Sequence, residues 1–246
     1  MTEGVQPVPS PRPSMPGRGD VSYKRLMRTI DLTGVAASDD PTLTFRFSYD
    51  TEPDWDFVFV EAHTVGQDDW TTLPEATGIT HTNTGSSCAA GWFELHPWLE
   101  RYQGADCSGT GTTGEWHASD GRSAGWEEWQ IDLSAYAGSQ VEVAISYASD
   151  WAVQGLGAFV DHVEVSTEAG VESFEADLGA WSVAGPPEGS DANPNNWHRT
   201  QSVGLEEGAV VSTANSLFFG FGLEGITGAD SRAAVMGKSL DYLLGP

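Results

Sequence analysis

Alternating apolar and polar residues recur along this chain and constrain its fold more than any other feature of the sequence. From Leu43 to Tyr49, apolar residues alternate with Thr44, Arg46 and Ser48. Segments 129–133 and 141–147 show the same period of two. That period places every second side chain on one face of a β-strand. The sequence therefore predicts many strands, each with a face buried in a core.

The composition agrees with a folded, turn-rich β protein. The 246 residues include 29 glycines, 13 prolines and ten tryptophans. Glycine and proline favour turns between short strands, and the aromatic content can supply a core. Apolar runs at 57–62, 70–73 and 157–165 predict further strands. We expect an all-β sandwich over residues 21–216.

Three segments depart from this pattern. Residues 1–20 are rich in proline and predict a disordered leader without the apolar run of a signal peptide. Segment 77–122 is rich in Gly, Ser and Thr and predicts a long loop insertion with aromatic anchors. Residues 217–246 predict a strand and then a short helix from Thr227 to about Leu244.

The chain is strongly acidic, with 36 acidic and 11 basic residues and a formal charge of −25. Such a surface repels phosphate backbones, so we expect no nucleic-acid partner. It suits divalent cations, although solubility alone is an equal explanation. No stretch is long and apolar enough to predict a membrane span.

The two cysteines, Cys88 and Cys107, both fall in the loop insertion and form no CxxC motif. We predict a disulfide between them, because exposed loop thiols are a liability in an exported protein. Two unpaired thiols are the alternative. Secretion is the localisation that this prediction favours.

The order of several motifs resembles a known family. The run "PTLTFRFSYDTEPDWDFVFVEA", then "DDWTTLP", "WQIDLSAYAG" and "GAFVDHVEV", is similar to the MAM-like jelly-roll accessory domain of immune-inhibitor-A-type metallopeptidases. The segments "SCAAGWFELHPWL" and "FEADLGAW" resemble the C-terminal region of secreted bacterial zinc carboxypeptidases. The resemblance covers roughly residues 21–244. It implies a jelly-roll β-sandwich, of the MAM-like or galactose-binding-like kind, beside a peptidase domain.

One departure from the family concerns chain order. The "FE…GW" strand usually opens the domain, whereas here Phe174, Glu175 and Trp181 follow the main strands. Either segment 171–183 closes the main sandwich as in a circular permutation, which we favour, or 171–216 begins a second, incomplete unit.

Motifs for catalysis are weak. The six histidines form neither HExxH nor the HxxE of a zinc carboxypeptidase, so we expect no zinc in this chain. Gly121 to Gly125 spells GxSxG, but a strand-like run follows it where a nucleophile elbow needs a helix. We therefore expect this chain not to be an enzyme, although its parent protein would be a metallocarboxypeptidase.

Acidic residues give a stronger signal. Asp50, Glu52, Asp54 and Asp56 alternate, and Glu61 has the spacing of a terminal calcium-loop ligand, but an EF-hand needs glycine where Trp55 stands. On strand 157–165, alternation places Asp161 on the same face as Phe159, Val163 and Val165, and a buried carboxylate needs a partner.

The resemblance implies a structural cation near such residues. We predict calcium bound by Asp161 and Glu175, with Asp56 or Glu52 as a third ligand. The alternative is that Asp161 caps a loop or pairs with an arginine such as Arg46.

Three functions follow from these features. The first is a non-catalytic accessory module that stabilises or targets a secreted peptidase, with the peptidase domain and a protein or glycan surface as partners. The second is a carbohydrate-binding jelly roll that uses loop tryptophans, above all Trp98 and Trp116. The third is that the chain is part of a hydrolytic metallopeptidase.

Overall fold

The structure is a computed structural model that describes residues 3–7, 21–153, 155–201, 210–213, 216–219 and 236. Two sheets contain most of its strands. In spatial order, the five-stranded sheet consists of β11 (Trp197–Gln201), β1 (Glu3–Pro7), β9 (Gly157–Val165), β3 (Thr42–Asp50) and β7 (Glu127–Asp132). The six-stranded sheet consists of β10 (Ser182–Ala184), β2 (Ser22–Asp31), β8 (Gln140–Ser149), β4 (Phe57–Thr64) and β5 (Thr71–Leu73), with β6 (Ser119–Asp120) also paired to β4.

The main core lies between these two sheets. Leu43, Phe45, Phe47 and Tyr49 of β3 are buried in it, as the alternation predicted. Opposite them lie apolar side chains of β2, β4 and β8. Each such side chain contributes roughly 1.5–3 kcal/mol through removal from water. The prediction of an all-β sandwich is confirmed, whereas the jelly-roll connectivity stays a prediction.

Segment 171–183 contributes to this same core. Phe174 and Trp181 are buried in it, and β10 pairs antiparallel with β2 at the edge of the six-stranded sheet. Glu172 also forms an isolated antiparallel bridge to Val163. This is the arrangement expected if the segment completes the main sandwich.

Strand β4 is buried on both faces. Val58, Val60 and Ala62 point into the core between the sheets, whereas Phe57 and Phe59 point outward into a second apolar cluster. A strand covered on both sides needs apolar residues at nearly every position. This explains why its sequence, FVFVEA, does not alternate.

The loop insertion provides the cover for the outer face of β4. It contains helix α1 (Gly85–Ala89), two 3₁₀ turns (Trp92–Glu94 and Pro97–Arg101) and β6. Further 3₁₀ turns are formed by Ala37–Asp39 and Ser134–Tyr136. Gly85 has φ +66°, and a Cβ there would lie 2.3 Å from the carbonyl oxygen of Asp54. A glycine is therefore required where the insertion passes close to the backbone that precedes β4.

A β-bulge in β9 changes the face that Asp161 occupies. The register against β3 shifts between Thr44, opposite Glu164, and Arg46, opposite Asp161. His162 has φ +50° at this point. Val163 and Val165 therefore share the inner core with Val160, whereas Asp161 lies opposite the exposed Arg46 on the other face of the sheet. The prediction that Asp161 shares a face with these two valines was wrong, because simple alternation does not allow for an extra residue.

The two ends of the chain are described only in part. Glu3–Pro7 forms β1, paired antiparallel with β9, where we expected a disordered leader; the rest of 1–20 lies outside the described residues. The described residues from Gln201 onward belong to a separate compact unit. Within it, β12 (Val210–Thr213) and β13 (Ser216–Phe219) form an antiparallel hairpin. The helix predicted from Thr227 lies outside the described residues except for Met236, which is helical and exposed.

Candidate functional site

A buried carboxylate, Glu61, joins the insertion to the six-stranded sheet. It lies on the outer face of β4 and is fully buried. Its Oε2 accepts hydrogen bonds from the hydroxyls of Tyr23 at 2.9 Å and Tyr102 at 2.6 Å, and its Oε1 accepts one from Ser146 Oγ at 2.8 Å. Tyr23 and Ser146 belong to the neighbouring strands β2 and β8, whereas Tyr102 belongs to the insertion. One side chain therefore links three strands to the insertion.

The two tyrosines remain hydrogen-bond donors at every physiological pH. Burial, followed by the charge of Glu61, raises the pKa of Tyr23 and of Tyr102 well above the ordinary value. Tyr102 also accepts a hydrogen bond from the indole Nε1 of Trp98 at 3.0 Å. The network is polar but satisfied, which makes it rigid and costly to break.

Aromatic rings surround this network and form the second cluster. Trp92 and Trp116 are fully buried and cross at 89°, each within 5.5 Å of the ring centre of Phe57. Edge-to-face pairs of this kind add to the stabilisation from burial. The insertion thus has an apolar core of its own against the sheet.

The disulfide prediction is confirmed, since Cys88 and Cys107 are bonded within the insertion. Replacing both with serine should lower the free energy of unfolding by about 3 kcal/mol, because the bond restricts a loop with a sequence separation of 19. Urea unfolding measures the change, and reduced wild-type protein is the control that should match the double variant. Equal stability of variant and oxidised wild type would contradict the prediction.

His96 links the insertion to two other segments. Its Nε2 lies 2.9 Å from the carbonyl oxygen of Ser149 at the end of β8, and its Nδ1 lies 3.3 Å from Ser190 Oγ. Nearby, the side-chain amide of Asn193 both accepts from Tyr23 N and donates to Tyr23 O, at 2.8 and 2.9 Å. The loop that follows β10 is thereby attached to the insertion and to β2.

The contribution of His96 to stability should be lost in acid. Burial lowers the pKa of this imidazole to about 4, against an ordinary value of 6.5. Between these two pH values, the imidazole therefore binds a proton in the unfolded chain but not in the folded chain. The contribution of His96 to the free energy of unfolding is complete above pH 6.5 and is lost as the pH falls towards 4. The loss amounts to about 3 kcal/mol.

The measurement is the free energy of unfolding in urea at several pH values from 7 to 4. Between pH 7 and 4, His96→Gln should lose about 3 kcal/mol less stability than wild type, because the contribution of the imidazole is removed, whereas His198→Gln, at an exposed position, should follow wild type. An unchanged slope in His96→Gln would show that another group causes the acid sensitivity.

The two tryptophans predicted to bind a ligand lie in different environments. Trp116 is fully buried and donates its Nε1 hydrogen to the carbonyl oxygen of Asn83 at 3.0 Å, so it cannot present a face to a sugar. Trp98 is partly exposed and lines a cavity of about 460 Å³ with Asp68, Glu100, Thr112 and Thr113, among others. The guanidinium of Arg101 lies 4.0 Å from the centre of the Trp98 ring.

The four predicted calcium ligands are distributed over two places. Asp56 is fully buried just before β4, and its carboxylate accepts from Tyr147 Oη at 2.9 Å and from Asp150 N at 3.0 Å. Burial, with smaller contributions from the charges of the nearby Asp150 and Glu52, raises the pKa of Asp56 to about 8. Glu52 is partly exposed beside this group.

Asp161 and Glu175 form the other pair. Asp161 is buried, and its carboxylate accepts from the backbone N of the next residue, His162, at 2.7 Å. Burial raises the pKa of Asp161, and the charge of Glu175 acts in the same direction. Glu175 itself is exposed. The alternative partner, Arg46, pairs instead with Glu128 at 3.0 Å.

Over the residues that the structure describes, no group of three or more His, Cys, Asp or Glu side chains could hold a metal ion. Calcium therefore stays a prediction. Calorimetric titration of chelator-treated protein with CaCl₂, alongside Asp161→Asn and Asp56→Asn, would test it. Equal heats in wild type and in both variants would reject these ligands.

The GxSxG sequence has a structural role. Ser123 Oγ accepts from Tyr49 N at 3.0 Å and donates to the carbonyl oxygen of Gly125 at 2.8 Å. Strand β7 follows it, as expected. A histidine–carboxylate pair is present, with His81 Nε2 2.8 Å from Asp120 Oδ1. The hydroxyl of Ser123, however, is hydrogen-bonded to the backbone. The segment fixes the end of β3.

Sequence reasoning missed the two residues that organise this site. Glu61 was noted only for its spacing from the acidic run; its signal was a single glutamate within an apolar run. His96 had no signal beyond its place in the insertion.

No protein-family model matches the chain, and no curated protein matches it significantly. No helix in the described part of the chain has the length and apolar character needed to cross a membrane.

Proposed function

We propose that this chain is a non-catalytic accessory module of a secreted metallopeptidase, which stabilises the peptidase domain or positions it on a protein surface. The resemblance to MAM-like accessory domains motivates the proposal. The disulfide is compatible with an extracellular location.

The observation that carries the proposal is the use of the buried polar groups. Glu61 and His96 both join the insertion to the sandwich. Buried Glu75 also accepts hydrogen bonds from Thr77 N at 2.8 Å and from Ile79 N at 3.2 Å, and both of these donors belong to the first residues of the insertion. These groups are engaged in holding one rigid surface, which suits recognition of a partner more than chemistry.

The test begins with the flanking reading frame, where the proposal expects an HxxE motif with a later histidine. The peptidase with and without the module is then compared for its half-life on heating and for turnover of a small peptide and a protein. Deleting the module should shorten the half-life or slow protein turnover several-fold and leave peptide turnover unchanged. Absence of a flanking peptidase, no effect of deletion, or peptide hydrolysis by the module alone would overturn the proposal.

Carbohydrate binding is the second candidate, and the cavity beside Trp98 favours it. Hydroxyls of Thr112 and Thr113 and the carboxylates of Asp68 and Glu100 surround a partly exposed indole. A sugar would have to displace Arg101 from the ring or bind at its edge. Retention on insoluble polysaccharides that is lost in Trp98→Ala, and kept in Trp126→Ala, would support this function in place of the first.

A further inference from the structure

A second cavity, of about 410 Å³, opens where four segments of the compact unit meet. Val21 precedes β2, Glu94 and Leu95 belong to the insertion, Trp151 follows β8, and Asp191 and Pro194 belong to the loop after β10. Its size lies within the range typical of sites for small ligands and side chains. None of its lining residues belongs to the Glu61 network.

Hydrogen bonds hold together the segments that line this cavity. His96, next to Leu95, bonds to Ser149 and to Ser190, which lie two and one residues from Trp151 and Asp191 respectively. The two hydrogen bonds between the side-chain amide of Asn193 and the backbone of Tyr23 attach the loop after β10 to β2. All four segments are therefore held together before any ligand arrives, which lowers the entropic cost of binding.

The lining has the chemistry of a site for an organic cation. Trp151 contributes an aromatic ring to the lining, and Glu94 and Asp191 contribute two carboxylates. Among the described residues that line the cavity, none is basic. An ammonium or guanidinium group is attracted both by the face of an indole and by carboxylates. Val21, Leu95 and Pro194 provide apolar surface for the methylene stem of such a group. The net charge of −25 also draws cations towards the molecule.

We propose that this cavity binds a lysine or arginine side chain of a partner protein. This proposal rests on the accessory function, which supplies the partner protein. It adds to that function the chemical group of the partner that the module would bind. An anionic partner surface is disfavoured by the same charges.

The test uses the whole chain and small probes. Nα-acetyl-lysine amide and Nα-acetyl-arginine amide are titrated while indole signals are followed by two-dimensional NMR, with Nα-acetyl-norleucine amide as the neutral probe of similar stem. Both cationic probes should shift the Trp151 indole signal with millimolar affinity, and the neutral probe should bind at least tenfold more weakly. Raising the salt concentration should weaken binding, because a charge interaction is screened.

Substitutions locate the site. Glu94→Gln with Asp191→Asn should lower affinity at least tenfold, and Trp151→Phe should retain more of it than Trp151→Ala. Glu188→Gln is the matched control, because Glu188 lies in the same loop as Asp191 but lines the cavity beside Trp98. Thermal melts verify that each variant is folded. If Trp151→Ala does not fold, the affinities of the charge variants alone test the proposal.

Equal binding of the neutral probe, an unchanged affinity in the charge variants, or no shift at high millimolar concentration would overturn the proposal. Because these titrations need no peptidase, their failure would leave the accessory function standing. Conversely, a flanking reading frame without a peptidase would overturn the accessory function and would not affect a measured cation-binding site.

Discussion

Replacing Glu61 with alanine should lower the free energy of unfolding by about 4 kcal/mol. The substitution removes the acceptor for three buried hydroxyls, on Tyr23, Tyr102 and Ser146, and leaves a space beneath the insertion. Each buried donor without an acceptor costs about 1–3 kcal/mol, and losing one partner of a buried polar group is among the most destabilising changes known. Urea denaturation followed by tryptophan fluorescence measures the change.

Two variants accompany this measurement. Glu61→Gln retains the shape and one acceptor oxygen, so we expect a smaller loss of about 2 kcal/mol. Glu164→Ala removes an exposed glutamate from strand β9 and should change stability by less than about 0.5 kcal/mol. If Glu61→Ala and Glu164→Ala were equally stable, the hydrogen-bond network would not support the insertion.

Replacing Trp116 with alanine should also cost about 4 kcal/mol, because it leaves a large cavity in the second cluster. The ring is fully buried, packs against Phe57, Phe59 and Trp92, and loses its hydrogen bond to Asn83. Thermal or urea unfolding measures the effect. Trp116→Phe keeps part of the ring volume and should lose roughly half as much stability.

The control for this prediction is Trp126→Ala. Trp126 is 37% exposed, so its removal should cost less than about 1 kcal/mol. Comparing Trp116→Ala with Trp126→Ala also distinguishes a structural role of Trp116 from a role in glycan binding. A Trp116→Ala protein with wild-type stability and no affinity for polysaccharide would contradict its structural role and favour the glycan hypothesis.

The sheets could be predicted from the sequence because their inner faces obey a simple period. Leu43 to Tyr49 in β3 and Val141 to Tyr147 in β8 alternate, and the structure buries their apolar positions in one core. Local pleating alone decides this outcome. The burial of both faces of β4 could not be read in the same way, since a continuous apolar run does not tell what covers its second face.

The predicted site depended on spacing, and spacing failed at Asp161. One extra residue at His162 moved Asp161 off the face that alternation assigns, and a bulge has no reliable sequence signal. The organising contact of the molecule, Tyr102 with Glu61, joins residues 41 positions apart. Such a contact follows from how the insertion folds back on the sheet, which neither residue encodes locally.

The disulfide was within reach of sequence reasoning because only one pairing exists for two cysteines. Trp98 and Trp116 were not separable, because both are aromatic anchors in Gly- and Thr-rich sequence. Their difference lies in packing: Trp116 faces the sheet, whereas Trp98 stands at the edge of the insertion beside Arg101.

The central claim is that the insertion and the six-stranded sheet form one cooperative, rigid surface held through Glu61. Native-state hydrogen exchange tests this claim most directly. The free energy of opening is measured for two insertion amides, Tyr102 N and Trp116 N, which donate to the carbonyl oxygens of Leu99 and Gly109. It is compared with the free energy of opening of amides in β4 and β8. We predict that both sets open with the same free energy, and that Glu61→Ala lowers both together. Insertion amides that exchange by a separate opening of low free energy, indifferent to Glu61→Ala, would contradict the claim.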